Sequence, residues 1–242
     1  RALKSDLDGK VKGNWQLAFK LLRYKFLNMQ TQSKALKVGK EVYDLGNDLY
    51  SAFLDSRMNY TCGYWKNAHN LEEAQEAKLE LVCQKIGLEK GMTVLEFGCG
   101  WGSFARYAAE KYGAQVVGLT ISKEQLSFAQ QVCQGLPVEL RFQDYREVEG
   151  QFDAIISIGM LEHVGYKNYR TYMQVVDRCL KPNGVALIHA IGSNVSTNIG
   201  EAWSNKYIFP NGMLPSIAQL GTAFEPNFVM EDWHNFGPDY DP

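Results

Sequence analysis

A short glycine-rich segment carries the clearest chemical signal in the sequence. It reads Val94-Leu95-Glu96-Phe97-Gly98-Cys99-Gly100-Trp101-Gly102 and joins an apolar, β-branched run to a stretch of helical periodicity. Glycines at such a junction let the backbone approach a ligand closely, and the start of a helix presents N–H groups that have no partner within the helix. The segment therefore predicts a small-molecule site; the alternative is a tight strand–helix turn that binds nothing.

The glycine spacing and the nearby acids argue against a dinucleotide. The glycines follow the pattern G-x-G-x-G, whereas dinucleotide-binding folds use G-x-G-x-x-G. The next strand ends at Leu119-Thr120-Ile121-Ser122, without the Asp or Glu that binds a ribose in nicotinamide-binding domains. Glu96 lies on the first strand, where it could pair with a cationic amino-acid group. This arrangement resembles the signature of class I methyltransferases, which implies S-adenosylmethionine as the cofactor.

A third strand is followed by Gln143-Asp144-Tyr145. The same resemblance implies that Asp144 binds the adenine amino group and that Tyr145 offers a flat ring for stacking. An ordinary polar turn is the alternative for this segment.

The elements that must position these residues alternate between strand and helix. Helical periodicity marks Ser103–Lys111 and Glu124–Cys133, and an earlier helix is marked by a capping box at Asn70 and Glu73 and by Gly87 as its stop. Runs with strand character are Thr93–Phe97, Gln115–Leu119, Val138–Phe142, Phe152–Ile158, Val185–Ile191 and Phe228–Trp233, with a turn at Lys181-Pro182-Asn183-Gly184 before the fifth. We therefore predict an α/β fold with a Rossmann-like, mostly parallel, doubly wound sheet and helices on both faces.

Several segments outside the glycine loop narrow the resemblance to one family. They are Tyr43-Asp44-Leu45-Gly46-Asn47-Asp48, Tyr60-Thr61-Cys62-Gly63-Tyr64-Trp65, Gly159-Met160-Leu161-Glu162-His163-Val164-Gly165, Leu187-Ile188-His189-Ala190-Ile191-Gly192, Lys206-Tyr207-Ile208-Phe209-Pro210-Asn211-Gly212 and Asp232-Trp233-His234-Asn235-Phe236-Gly237. In this order and spacing, from Val38 to Asp241, the chain resembles cyclopropane fatty acid synthases. The resemblance implies a catalytic domain over residues 41–242 that continues beyond Pro242 in the family.

The resemblance also implies a set of cofactor contacts. They fall on Tyr60, Thr61, Val94, Leu95, Glu96, Phe97, Gly98, Cys99, Gly100, Trp101, Gly102, Thr120, Ile121, Ser122, Gln125, Asp144, Tyr145, Arg146 and Ile158. Gln125 is expected to replace the missing ribose-binding acid. Thr61 stands where serine is frequent in the family, and it keeps the hydroxyl. Glu96 stands where aspartate is frequent, and it keeps the negative charge.

The family holds a bicarbonate ion in its active site, and the implied ligands here are Cys62, Glu162, His189, the backbone of Ile191, and Tyr240. A held anion could stabilise a carbocation in a low-dielectric pocket and remove a proton from it. Taken singly, each side chain has a structural alternative, such as a buried small hydrophobe for Cys62 or a core histidine for His189. A zinc site built from Cys62, Glu162 and His189 is disfavoured, because the close spacing of zinc ligands is absent.

The implied reaction transfers a methylene group from S-adenosylmethionine to the double bond of unsaturated phospholipid acyl chains. A related enzyme that adds a simple methyl group to a lipid or an amine is the main alternative. A nucleic-acid methyltransferase is a third, but no Asn/Asp-Pro-Pro-aromatic loop is present, so no nucleic-acid partner is expected. A homodimer is compatible with the sequence, which does not encode the oligomeric state legibly.

Charge is distributed unevenly along the chain. Residues 1–40 carry ten Lys or Arg against two Asp, a local charge of +8, whereas the rest carries −10. Apolar residues from Trp15 to Met29 recur at helical spacing, which predicts a basic helical arm or linker over residues 1–40. The resemblance implies that this arm belongs to an N-terminal domain of the family that is missing here. Such an arm indicates a polyanionic partner, either an anionic membrane or a nucleic acid, with a solvated connector as the alternative. Its apolar face could lie on a membrane or pack on an N-terminal domain.

Five cysteines, an odd number without close pairing, predict a cytoplasmic setting, and no run of about 18 apolar residues could span a bilayer. The lipid substrate implied by the resemblance, together with the basic arm, predicts peripheral attachment to the inner face of the membrane.

Overall fold

The computed structural model describes residues 27–28, 30–32, 35 and 46–240. The predicted basic arm therefore lies outside the described residues apart from a few positions, as does the start of the Tyr43–Asp48 segment. No helix in the described ranges combines the length and apolarity that a bilayer crossing requires.

A five-stranded, wholly parallel sheet forms the centre of the molecule. Its strands are β1 (Thr93–Phe97), β2 (Gln115–Thr120), β3 (Val138–Phe142), β4 (Phe152–Ile158) and β5 (Leu180–His189). Their spatial order is β3-β2-β1-β4-β5. The chain runs outward in one direction from β1 to β3 and then returns to the other side of β1, so the strand order reverses between β1 and β4. In such sheets ligands bind outside the carboxyl ends of the strands at this reversal.

The helices cover both faces of the sheet or extend its loops. They are α1 (Asn47–Ser51), α2 (Leu71–Lys85), α3 (Ser103–Tyr112), α4 (Lys123–Val132), α5 (Leu161–Val164), α6 (Tyr169–Cys179), α7 (Ala202–Tyr207) and α8 (Ile217–Phe224). Short 3₁₀ turns occupy Tyr145–Glu147, Tyr166–Asn168 and Gly237–Tyr240. The alternation predicted from the sequence and the α/β fold class are confirmed.

Alternating side chains of β1 pack into two separate hydrophobic cores, one on each face of the sheet. Leu95 and Phe97 point to one face, where they pack with Tyr172 of α6. Val94 points to the other face, where it packs with Phe104 of α3. Because a parallel sheet is covered on both faces, its central strand is apolar at consecutive positions rather than alternating ones.

The capping signals of α2 act in part as predicted: Asn70 caps the helix, but the Glu73 side chain accepts the N–H of His69 rather than that of Asn70, so the capping box is incomplete. Asn70 Oδ1 accepts a hydrogen bond of 2.9 Å from the Glu73 N–H, and Glu73 Oε2 accepts one of 2.8 Å from the N–H of His69. Gly87 adopts a φ of +59° just beyond the end of the helix. The start and stop of this helix therefore come from local residues, which fixes the inward face that it presents.

Two strand predictions need correction. Residues 228–233 form no strand; Phe228 instead donates its N–H to Phe224 O, closing a turn after α8, and Val229 is 87% exposed. An apolar run becomes a strand only where a neighbouring strand offers a ladder, and within the described residues none pairs with this run. The predicted turn at residues 181–184 lies inside β5, where the register with β4 shifts and Asn183 takes a φ of +64°. The strand then ends at His189, two residues before its predicted end.

Gly118 of β2 lies directly beneath the glycine loop, and its replacement tests the packing there. A Cβ at this position would lie 2.9 Å from both Cys99 Cβ and Leu140 Cδ2. We expect Gly118→Ala to lower the free energy of unfolding by about 1–3 kcal/mol, since the surrounding core is already filled. Gly221→Ala in α8 is the matched control: nothing lies within 4 Å of its Cβ, and we expect a gain of about 0.5–1 kcal/mol. Equal effects of the two variants in urea unfolding would contradict this packing.

Candidate functional site

A cavity opens at the carboxyl ends of β1, β2 and β4, at the reversal in strand order. Its volume is about 180 Å³, more than ten times the roughly 10–15 Å³ that one water molecule needs. Its walls come from the glycine loop after β1, the loop between α1 and α2, and the segments after β2, β3 and β4. The cavity is therefore large enough for a small organic molecule.

The glycine loop forms the floor of this cavity. Gly98, Gly100 and Gly102 have φ values of +74°, +53° and +84°, a conformation that other residues adopt only with strain. A Cβ at Gly100 would meet no atom within 4 Å, and this residue lines the cavity, so its bare backbone faces open space. The loop thus offers the close backbone approach that the sequence predicts.

A buried acid, Glu96, and a buried base, Lys78, lie in one wall. Glu96 at the end of β1 is 4% exposed, its Oε2 has no hydrogen-bond partner, and burial raises the pKa of its carboxyl to about 8. Lys78 of α2 is 2% exposed and donates to Asn59 Oδ1 and to Thr61 Oγ1, both at 3.0 Å. Burial lowers the pKa of its ammonium to about 8, and the nearby carboxylates Asp55 and Glu96 partly oppose that shift.

Lys78 was not among the residues predicted from the sequence. A signal for it exists, because Ala74, Lys78 and Val82 recur every four residues and so place the lysine on the apolar, inward face of α2. A lysine on such a face has to find polar partners in the interior.

The opposite wall carries the residues expected near an adenosine. Asp144 is buried and accepts two hydrogen bonds of 3.0 Å from Arg146, one from its backbone N–H and one from its guanidinium. Thr120 Oγ1 donates to Gln125 Oε1 at 2.9 Å. The ring of Tyr145, predicted to stack on a base, packs in the core 5.8 Å from Phe97 and 5.2 Å from Tyr172 between ring centroids. Tyr145 therefore supports this wall chiefly as a core residue.

Most of the predicted cofactor residues meet at the cavity. Those lining it are Tyr60, Thr61, Glu96, Gly98, Cys99, Gly100, Trp101, Thr120, Ile121, Gln125, Asp144, Tyr145, Arg146 and Ile158. The others lie behind it. Val94, Leu95 and Phe97 are fully buried in the two cores, Gly102 precedes α3, and Ser122 caps α4 by accepting the Gln125 N–H.

The residues predicted to hold a small anion also converge, next to the cavity. Cys62 follows Thr61 of the cavity wall, and its Sγ lies 3.6 Å from Nε2 of His189 at the end of β5. The Tyr240 hydroxyl contacts the Cys62 thiol. Glu162, in the first turn of α5, lies close enough to Tyr240 for its charge to raise the pKa of that phenol further above its ordinary value.

Burial controls the charge of this cluster. It lowers the pKa of His189 to about 4, with the Lys78 charge adding to the effect, and it raises the pKa of both the Cys62 thiol and the Glu162 carboxyl. The imidazole and the thiol are therefore neutral at neutral pH. Glu162 Oε2 and His189 Nδ1 have no hydrogen-bond partner. Buried polar atoms without partners are rare in folded proteins, so these two atoms mark a place where a further polar group could bind.

The backbone N–H of Ile191, predicted to bind the anion, is hydrogen-bonded to Glu162 in this structure. It donates to Glu162 Oε1 at 2.7 Å, so this backbone group orients the carboxylate.

A metal site gains no support from the geometry: among the described ranges, no group of three or more His, Cys, Asp or Glu is arranged to hold a metal ion.

The segment from Asp232 to Tyr240 covers this cluster. Phe236 packs edge-on against His189 at 5.3 Å between ring centroids, and it also contacts Tyr64. Asp239 Oδ1 accepts the N–H of Trp65 at 2.8 Å, which ties the segment to the residues just after Cys62. The segment thus covers the His189 side of the cluster with an aromatic ring, while Tyr240 itself stays 48% exposed.

His163 lines the cavity and makes folding sensitive to acid. Burial lowers the pKa of its imidazole to about 4, from 6.5 in an exposed histidine. Below pH 6.5 the unfolded chain binds a proton at this residue that the folded chain does not, so stability falls as the pH drops towards 4. We expect His163→Gln to remove on the order of 3 kcal/mol of this pH dependence in urea unfolding. The exposed His69→Gln is the control, and an unchanged slope for His163→Gln would contradict the assignment.

Comparison with known proteins places these features in context. The family model "Mycolic acid cyclopropane synthetase" matches residues 30–242. A cyclopropane-fatty-acyl-phospholipid synthase of Escherichia coli (strain K12) is 52% identical over 241 residues, covering 100% of this chain and 63% of that protein. A probable fatty acid methyltransferase of Pseudomonas putida is 38% identical over 194 residues, covering 75% of this chain and 49% of that protein. The chain thus spans less than two thirds of the length of these relatives.

Solved structures agree. The cyclopropane synthase MmaA2 from Mycobacterium tuberculosis is similar with a TM-score of 0.79 and 29% identity, covering 85% of this chain and 79% of that one. The mycolic acid cyclopropane synthase CmaA1, solved in complex with SAH and CTAB, has the same TM-score and coverage with 32% identity.

Proposed function

Because this chain belongs to the mycolic acid cyclopropane synthetase family, we propose that it converts double bonds of unsaturated phospholipid acyl chains into cyclopropane rings, with S-adenosylmethionine as the one-carbon donor. The observation that carries the proposal is the 52% identity, along the whole chain, to a relative named for that reaction. The geometry supports it, because a cavity suited to the cofactor adjoins a partly buried polar cluster suited to handling a proton.

The residues of the cavity fit S-adenosylmethionine, which when bound supplies an electrophilic methyl group. Glu96 Oε2, buried and without a partner, would receive the amino group of the cofactor's methionine portion. The bare backbone at Gly100 would admit the ligand to close contact, and Asp144 and Gln125 would bind its adenosine portion. The cofactor's thioether analogue is present in the solved structure of a relative.

The reaction needs a base as well as a methyl donor. The alkene would attack the methyl carbon, so that a C–C bond forms while the C–S bond breaks, leaving a carbocation on the acyl chain. Loss of a proton from the newly added carbon would then let the ring close. This proton has to leave inside an apolar pocket, where only a group within hydrogen-bond reach can take it.

We propose that Cys62, Glu162, His189 and Tyr240 hold a bicarbonate ion, which when bound supplies that base. The support is chemical: Glu162 Oε2 and His189 Nδ1 are buried without partners, and the neutral imidazole and phenol can donate hydrogen bonds to an anion. Glu162, whose pKa burial raises, can pass the proton on from Oε2. Ile191 holds the other oxygen of this carboxylate in place.

The test is to incubate the protein with S-adenosylmethionine and vesicles of monounsaturated phospholipid, and to analyse the acyl chains by mass spectrometry. We expect each modified chain to gain one CH₂. It should also resist reagents that cleave alkenes, because its double bond has been converted into the ring. Addition of a methyl group with retention of the double bond, or methylation of an amine headgroup, would favour the alternative of a simple methyltransferase. The resemblance to a probable fatty acid methyltransferase keeps that alternative in the test.

We also propose that the protein works on the cytoplasmic face of a membrane without crossing it. The support is the charge of +8 in residues 1–40, which would attract anionic headgroups by roughly 1 kcal/mol for each Lys or Arg near the surface. Binding to vesicles of anionic phospholipid, measured by co-sedimentation, should therefore weaken steeply as salt rises. Binding that is insensitive to salt would contradict the electrostatic attachment, and zwitterionic vesicles are the control.

A further inference from the structure

The cavity wall that contains Glu96 also contains a positive charge with no assigned role. The cofactor proposed above ends in an amino acid, which carries an ammonium and a carboxylate on one carbon. Glu96 accounts for the ammonium only. A carboxylate taken into a buried wall needs its own donors and a compensating charge, since an unpaired buried charge is costly.

Lys78 is placed to meet this need. It lines the cavity, lies close enough to Glu96 for the two charges to interact, and comes from α2, whose position is fixed by its cap at Asn70. Its ammonium has three donors, of which two are used, by Asn59 Oδ1 and by Thr61 Oγ1. A ligand carboxylate could take the third.

The hydrogen bond from Lys78 makes the Thr61 hydroxyl a second possible donor to the ligand. An ammonium can only donate, so Thr61 Oγ1 must accept from Lys78, and the hydroxyl proton of Thr61 is left for another group. Thr61 also lines the cavity, and its backbone carbonyl is anchored by a hydrogen bond of 2.7 Å from Gln75 Nε2. The threonine is therefore held in place with its hydroxyl available to a ligand.

The lysine is itself rigidly supported. Asn59, which accepts from it, also accepts from Ser103 Oγ at 2.8 Å, and its own amide group donates to Asp55 Oδ2 at 2.8 Å. Asp55 in turn accepts the backbone N–H groups of Arg57 and Asn59. This network keeps the ammonium at the cavity wall in place, although its charge is fully buried.

Resting on the proposed use of S-adenosylmethionine, we infer that Lys78 and Thr61 bind the carboxylate of the cofactor's methionine portion, while Glu96 binds its ammonium. The acid and the base of the wall thereby match the two charges of the ligand, whose ammonium would favour the ionised form of Glu96. The match explains why a lysine and a glutamate remain buried in one wall when one apolar residue at each position would be less costly.

The test compares the binding of two ligands to each variant by calorimetry. The ligands are S-adenosylhomocysteine and S-adenosyl-thiopropylamine, which is the same molecule without its carboxylate. Wild-type protein should prefer S-adenosylhomocysteine by about tenfold or more, as expected for hydrogen bonds to a charged group. In Lys78→Met and in Thr61→Val this preference should fall towards one. Thr61→Val keeps the methyl group that packs near Gly159 and leaves the buried lysine in place, so it remains informative if Lys78→Met does not fold.

Glu96→Gln is the matched control. It should weaken both ligands together, because both carry the amino group, and so should keep the wild-type preference. A merely structural role for Lys78 predicts the same pattern for Lys78→Met as for Glu96→Gln, and that result would overturn the inference. Equal affinities of the two ligands for the wild-type protein would overturn it as well. If S-adenosylhomocysteine does not bind the wild-type protein at all, the cofactor assignment itself fails.

Discussion

The Glu162→Gln variant is expected to turn over about 10²- to 10⁴-fold more slowly than the wild-type protein, the usual contribution of a positioned proton acceptor. Gln keeps the oxygen that accepts the Ile191 N–H, so the local fold should persist. What the variant loses is the basic Oε2, which lies buried and without a partner in the cluster of Cys62, His189 and Tyr240. Affinity for S-adenosylhomocysteine should be unchanged, because Glu162 does not line the cofactor cavity.

The measurement pairs turnover on unsaturated phospholipid with calorimetric binding of S-adenosylhomocysteine. Glu80→Gln is a matched control, since it removes the same charge from a carboxylate that binds Tyr107 and Tyr112 away from the site. A parallel loss of cofactor affinity and turnover in Glu162→Gln would show that cofactor binding and proton handling are not divided as proposed.

The Gly100→Leu variant is expected to bind S-adenosylhomocysteine at least a hundredfold more weakly, a loss of roughly 2.7 kcal/mol. A side chain at this position projects into the cavity, where the backbone now leaves open space. It also imposes a left-handed φ of +53° on a residue with a Cβ, at a cost of about 1–2 kcal/mol in stability.

Gly87→Leu separates these two effects. Gly87 has a similar φ of +59° and similarly open surroundings, but it lies after α2 and outside the cavity. Both variants should lose about the same stability in urea, and only Gly100→Leu should lose the ligand. Comparable binding by the two variants would mean that the glycine loop is not the floor of the cofactor site.

The sheet and the glycine loop could be predicted because their signals are local. A buried strand shows itself as a continuous apolar run, and the loop after β1 shows its glycines where the backbone needs positive φ. The run at Phe228–Trp233 gave the same kind of signal and was wrong as a strand. Whether such a run pairs depends on a neighbouring strand edge, which is a property of the whole fold.

The polar cluster beside the cavity could not be derived from spacing. Cys62, Glu162, His189 and Tyr240 lie on four separate segments, and only the resemblance to a family grouped them before the structure brought them together. Lys78 shows the opposite case. Its place on the inward face of α2 could be read from the sequence, yet its contact with Thr61 depends on how α2 packs against the preceding loop.

The central claim is that one cavity holds the cofactor with its sulfur facing the cluster of Cys62, Glu162, His189 and Tyr240. A crystal structure of the protein with S-adenosylhomocysteine tests this claim most directly. The account predicts the adenosine between Gly100 and Asp144, the amino-acid end at Glu96, and the sulfur directed towards Cys62 and His189. A ligand bound outside this cavity, or one whose sulfur faces away from a cluster that has come apart, would contradict it.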